Sequence, residues 1–230
     1  MSDYILVIGN KNYSSWSLRP WILMKAAGIA FEEKPVFFTG DDHFDEFRAF
    51  APNGMVPCLH DGDDVIWDSL AIAEYLAERH NGIWPEDGRA RAWARCAAAE
   101  MHSGFGTLRA ICPMNVGVRA KLKDPPARLA RDIARIAELW AEGQERFGGP
   151  WLVGDSFTAV DAFYAPVAYR ARTFGLDMGV AGAAWIEHVL AHSAMQIWEA
   201  AALAETEREP SHEADITSVA DIISDHRAAG

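Results

Sequence analysis

The sequence predicts an α/β domain followed by an all-helical bundle, and three observations carry that reading. Short apolar runs alternate with helical stretches over the first third of the chain. A break follows at Gly82-Ile83-Trp84-Pro85, where Gly and Pro end both periodicities. Beyond it, apolar residues recur at helical spacing. The 230 residues suffice for two such units, each with its own core. The expected division is 1–81 for the α/β unit, 82–205 for the helical unit, and 206–230 for a polar C-terminal tail.

Tyr4-Ile5-Leu6-Val7-Ile8 is a continuous apolar run, as expected of a strand buried on both faces. A helix is predicted over 18–27, with Gly28 as its stop. Val36-Phe37-Phe38 is the second strand. Runs at 56–60 and 65–67 flank Asp61-Gly62, a hairpin signal, and a helix over 69–79 closes the unit. In the second unit Trp93, Ala97, Met101, Phe105, Leu108 and Cys112 form one apolar stripe. Leu129, Ile133, Ile136 and Trp140 form another, and Val160, Phe163, Tyr164 and Val167 a third, with Pro166 a candidate kink. Within the polar tail, Ile216, Val219 and Ile223 have the spacing of a short docking helix.

Composition excludes several classes. With 21 Lys and Arg against 33 Asp and Glu, the formal charge is -12, which repels nucleic acid and anionic membranes. Cys58, Cys96 and Cys112 are an odd number with no CxxC pair, as expected in a reducing compartment. Met1-Ser2-Asp3-Tyr4 shows no targeting signal and no run is long enough to span a membrane, so a cytoplasmic protein is expected. His188 and His192 have helical ligand spacing without HExxH, and Asp41, Asp42, Asp45 and Glu46 lack the rhythm of a calcium loop; no metal is expected.

Four motifs remain. Tyr13-Ser14-Ser15-Trp16-Ser17-Leu18-Arg19 joins the first strand to the first helix, Val56-Pro57 precedes a strand, Asp68-Ser69 opens a helix, and Phe157-Thr158-Ala159-Val160-Asp161 contains a threonine-x-x-acid capping box. In this order and spacing they resemble the serine-type glutathione transferases, the zeta class most closely, from residue 4 to about 200. The resemblance implies a thioredoxin-like N-terminal domain that binds glutathione as co-substrate, a helical bundle that binds a second substrate, and a homodimer.

The chemistry required at these positions has a physical basis. Glutathione attacks as a thiolate, whereas a free thiol ionises near pH ~8.5. A hydroxyl donating to the sulfur at a helix N-terminus favours the anion through hydrogen bond and dipole. Ser14 is the expected donor, Ser15 the second, and Ser17 the N-cap. The resemblance makes Pro57 a cis-proline that presents the Val56 backbone to the cysteinyl unit as an added strand. Ser69 would take the γ-glutamyl carboxylate on a helix N-terminus, and Asp68, where relatives often have Glu or Gln, the ammonium. Met55 stands where several relatives place a Lys, leaving His43 as the candidate for the glycyl carboxylate.

The second-substrate pocket is expected among Trp16, Met101, His102, Phe105, Arg109 and Cys112. The zeta-class isomerase holds a substrate carboxylate with an Arg after the capping box; here an ungapped reading gives Thr173, with Arg170 and Arg172 nearby. Cys58 stands away from the first helix, against a glutaredoxin-like role. The expected function is conjugation of glutathione to small electrophiles. A glutathione-dependent cis-trans isomerase of maleylacetoacetate type and a non-catalytic binding module are the alternatives.

Overall fold

A computed structural model describes residues 4–38 and 43–227. The Met1-Ser2-Asp3 start, and Asp41 and Asp42 of the acidic loop, lie outside the described residues.

The apolar run at the N-terminus forms β1 (Tyr4–Ile8), whose Leu6, Val7 and Ile8 are fully buried. The next elements are α1 (Ser15–Ala26), β2 (Glu32–Pro35), the short α2 (Phe44–Phe47), β3 (Cys58–Asp61), β4 (Asp64–Trp67) and α3 (Ser69–Ala77). The strands make one sheet in the order β2-β1-β3-β4, with β2 parallel to β1 and the other pairs antiparallel. Gly62, at φ 60°, supplies the left-handed residue of the β3–β4 turn.

One strand lies earlier than predicted. β2 occupies Glu32–Pro35 rather than Val36-Phe37-Phe38, because it is an edge strand paired only with β1 and tolerates charged, exposed residues. Val36 still donates its N–H to Ile8 at 2.8 Å, but the chain then leaves the sheet and carries Phe38 away from it.

The second half contains α4 (Gly88–Ser103), α5 (Gly106–Ile111), β5 (Val118–Leu122), α6 (Ala127–Phe147), α7 (Ala159–Phe174), α8 (Gly179–Ala191), α9 (Ser193–Ala204), α10 (Pro210–Val219) and β6 (Ala220–Asp225). α7 is the central helix, buried at every position except Arg172, and it packs on α1 and α4. Its start is the predicted capping box: Asp161 Oδ2 accepts from Thr158 N at 3.1 Å. The predicted stripe from Trp93 to Cys112 is not one helix. It breaks between α4 and α5 at Phe105, which adopts φ 54° and starts α5 in a new direction.

Residues 206–227 also depart from the expected polar tail, because they are folded. Ile216 of α10 is fully buried and Val219 packs on the same core, whereas Ile223 is exposed. β6 pairs antiparallel with β5 about a hundred residues earlier in the chain. Arg227 binds both Glu213 and Asp225 and tethers the segment's end. The apolar positions of the tail are thus spent on a docked helix and a two-stranded ribbon.

Candidate active site

The turn from β1 into α1 is fixed from both halves of the molecule. Lys11 and Asn12 donate their backbone N–H groups to Glu205 at 2.6 and 3.1 Å, and Trp198 Nε1 donates to Lys11 O at 3.0 Å. Inside the turn, a Cβ on Gly9 would come within 2.7 Å of Phe38 Cζ and 3.2 Å of Ser14 Cβ. Only glycine lets Phe38 and Ser14 approach the same point.

Ser14, not Ser17, is the N-cap of α1. Its Oγ accepts from Ser17 N at 3.3 Å and donates to Ser17 Oγ at 2.8 Å, while Ser17 Oγ accepts from Gly9 N at 3.1 Å. The Ser17 hydroxyl therefore braces the turn. Ser15 Oγ accepts from Arg170 Nη2 at 3.3 Å, which leaves the Ser15 hydrogen free for another acceptor.

Both serines face a cleft of about 530 Å³. Trp16, Val56, Arg109 and Arg170 line the same cleft. The Val56–Pro57 peptide is cis. A smaller hollow of about 130 Å³ adjoins the cleft across Trp16 and Val56 and is lined by Pro57, Asp68 and Ser69. Asp68 is the N-cap of α3; its Oδ1 accepts from Leu70 N at 2.8 Å, and its φ of 73° is rare for a residue with a side chain. Ser69 is 1% exposed, and its buried hydroxyl has no hydrogen-bond partner among the described residues. His43, stacked near Phe38 and Phe47, and Met55 line the large cleft.

Two guanidinium groups stand against Trp16, and a third lines the same cleft. Arg19 lies 4.0 Å over its ring and Arg109 lies 5.4 Å from it. Arg170 is the third; its Nε donates to Cys112 O at 2.8 Å. Burial, reinforced by the neighbouring arginines, pushes Arg19 down to about 9 and Arg170 to about 10. Arg170 Nη1 and all three side-chain nitrogens of Arg19 are buried without a partner among the described residues. In a chain of net charge -12 this is a concentrated positive site, suited to an anion.

The other expected pocket residues divide. Trp16 and Arg109 line the cleft. His102 stands edge-on to Trp16 at 5.4 Å, with Nε2 3.4 Å from Asp68 Oδ2, so it lies behind the wall. Met101 is fully buried in the core, and Phe105 faces a separate surface hollow between α4 and α6 because of its left-handed backbone. Cys112 is buried, which pushes its thiol up to about 12; only its carbonyl serves the site, through Arg170. Thr173 is also turned inward, donating to Asn115 O at 2.8 Å, and Arg172 is paired with Glu199. Cys58 is held protonated by burial, pushed up to about 11. His192 caps α9 and its ring stands against Trp151, as does that of His188. Sequence reasoning missed Tyr13 and His212, both of which line the cleft. Tyr13 was visible as a motif residue, but nothing in the sequence marks His212 as reaching the cleft.

Residues 13–79 match the family described as glutathione S-transferase, N-terminal domain, and residues 126–201 the corresponding C-terminal domain. A glutathione S-transferase 1 from Dianthus caryophyllus is 32% identical over 174 residues, covering 72% of this chain and 77% of that protein. The chain belongs to the glutathione S-transferase family. A zeta-class glutathione S-transferase from Euphorbia esula is 31% identical, covering 72% of this chain and 76% of its own. Among solved structures, a maleylacetoacetate isomerase from Methylobacterium extorquens AM1 with bound malonate and GSH superposes with a TM-score of 0.63. It is 26% identical, and the match covers 85% of this chain and 95% of that one. No helix among the described residues is long and apolar enough to cross a membrane.

Proposed function

We propose that this chain binds glutathione along the joined clefts and conjugates its thiolate to a small electrophile. One observation carries the reading: two serines at the N-terminus of α1 line one cleft together with Val56, whose peptide to Pro57 is cis. The cysteinyl backbone pairs with Val56 as an added strand, which directs the sulfur to Ser14 and Ser15. The γ-glutamyl carboxylate takes the buried, unpartnered Ser69 hydroxyl at the start of α3, and Asp68 takes the ammonium. His43 serves the glycyl carboxylate. The second substrate lies against Trp16 and Arg109. A cytoplasmic homodimer engaged in detoxification belongs to the same proposal.

Ser14 and Ser15 stabilise the thiolate by different routes. Ser14 must turn its hydrogen from Ser17 Oγ to the sulfur, whereas Ser15 has a hydrogen to give while Arg170 donates to its oxygen. The test is a pH titration of thiolate absorbance in the glutathione complex of wild type, Ser14→Ala and Ser15→Ala. Ser14→Ala should raise the thiolate pKa by roughly one to two units and cut turnover at neutral pH roughly tenfold to a hundredfold, with glutathione affinity little changed. If only Ser15→Ala acts, the donor is Ser15; if neither acts, the serine-type mechanism is lost.

The arginine cluster favours a second reading, in which the electrophile carries a carboxylate and the thiolate adds and then leaves, as in a cis-trans isomerase. Arg170 sits one helical turn before Thr173 and has a buried nitrogen without a partner among the described residues. Maleylacetone turning over far faster than a chloronitrobenzene in wild type, with Arg170→Met abolishing that preference, is the expected outcome of this reading. Equal loss on both substrates would count against it.

A further inference from the structure

α10 brings His212 and Asp215 to the cleft that Ser14 and Ser15 line, beyond the residues matched to either family domain. The His212 ring is stacked on Tyr13 at 5.0 Å and on Phe38 at 5.3 Å and 7°. Tyr13 adjoins Ser14 in sequence, and Phe38 meets Ser14 across Gly9. His212 lines the same cleft as the two serines.

The ring is held by Glu209, the fully buried N-cap of α10. Glu209 Oε2 lies 2.5 Å from His212 Nδ1 and also accepts from His212 N and Ser211 Oγ, each at 2.7 Å. Burial acts to raise this carboxyl, but these donors outweigh it and hold it at about 2. An ionised carboxylate only accepts, so Nδ1 carries the hydrogen and the lone pair of the neutral ring is on Nε2. Nε2 has no partner among the described residues.

We propose that His212, oriented by Glu209, accepts the proton of bound glutathione's thiol, leaving a thiolate beside an imidazolium. The S–H bond breaks, an N–H bond forms at Nε2, and the electron pair stays on sulfur. After conjugation the proton passes from Nε2 to water. Proximity to His⁺ lowers a thiol pKa strongly, so His212 adds to what Ser14 and Ser15 supply. Other charged and titratable groups face this ring. Glu213 and Asp215 share α10, Arg208 precedes it, Tyr13 lies on one face, and His43 stands behind Phe38 on the other. Glu213 is already engaged, accepting from Tyr13 Oη at 2.6 Å and binding Arg227. Arg109 and Arg170 line the same cleft and favour the thiolate, not the imidazolium.

The inference rests on the glutathione reading above, so glutathione binding by wild type is measured first, and failure to bind overturns both. Thiolate absorbance is then titrated in the glutathione complexes of His212→Gln, of His212→Phe, which keeps the stack without a nitrogen, and of Glu209→Gln. Both His212 variants should raise the pH of thiolate formation by about one unit or more and lower turnover at pH 7 about tenfold, with the glutathione KM within about twofold. Glu209→Gln should shift it in the same direction by less. If both His212 variants leave thiolate formation unchanged while Ser14→Ala shifts it, His212 is not the acceptor and the serine mechanism stands. If His212→Phe behaves as wild type while His212→Gln is impaired, the ring only fills space, and the proposal is equally overturned.

Discussion

Asp161 accepts four hydrogen bonds inside the helical core with one carboxylate, the longest from Thr158 Oγ1 at 3.4 Å. Oδ1 accepts from Leu152 N at 2.9 Å and Trp185 Nε1 at 3.1 Å, and Oδ2 accepts from Thr158 N. It thus joins the loop before α7, the start of α7 and the middle of α8. Burial is nevertheless the larger influence on its ionisation and pushes it up to about 6. A cap alone contributes about 1 kcal/mol. Truncation here also strands two buried N–H groups and an indole, at about 1–3 kcal/mol for each unsatisfied group. Asp161→Ala is therefore expected to cost about 3 kcal/mol or more in urea unfolding, while the folded fraction keeps its specific activity. Normal stability with abolished turnover would contradict the capping role. Arg19 and Arg170 are the opposite case. Among the described residues neither is paired with a carboxylate; Arg170 lines the cleft, where its charge suits an anion, and Arg19 stacks on Trp16.

The elements that were legible in the sequence are those specified by local signals. β1 is written in one apolar run, the β3–β4 hairpin in Gly62, and the start of α7 in Thr158 and Asp161. The elements misread are those whose cause lies elsewhere in the chain. β2 is charged because only β1 flanks it, so its pattern resembles a loop, while Phe38 after it lines the cleft. The α4–α5 break at Phe105 preserves helical spacing in the sequence, and only the left-handed backbone of one residue reveals it. The same holds in the site. Ser14, Ser15, Val56, Pro57, Asp68 and Ser69 occur at element ends and could be found by motif. Met101 and Cys112 belong to the apolar stripe and face the core, whereas Arg109, outside that stripe, lines the cleft. Arg170 reaches Ser15 across 155 residues, and His212 reaches Phe38 through the return of α10. Such approaches are created by packing, and no local pattern encodes them.

Across the whole molecule, acid should act on two regions in opposite senses. Asp161 has a folded pKa above its unfolded value, so its contribution to stability is fully present below about pH 4 and lost as the pH rises through about 6. Acidification therefore relieves the core around α7. The C-terminal segment has the reverse sign. Hydrogen bonds and the Arg227 charge hold the Glu213 carboxyl below its ordinary value despite burial, and the Arg227 hydrogen bonds do the same for Asp225. Glu209 is held at about 2. Their contribution is present above about pH 4 to 4.5 and disappears as the pH falls through their folded values. The segment that supplies His212 is thus held by carboxylates, whereas the helix that supplies Arg170 is held by apolar burial. Hydrogen-exchange protection measured from pH 7 to pH 3 should fall first in α10 and β6, below about pH 4, while α7 stays protected. Arg227→Met should release the same residues at pH 7 by leaving Glu213 and Asp225 without their shared guanidinium, and should raise the pH of thiolate formation in the glutathione complex as α10 and its His212 loosen. Equal loss of protection in α7 and α10 at every pH would mean that the molecule unfolds as one unit and that the carboxylates of the C-terminal segment do not govern it.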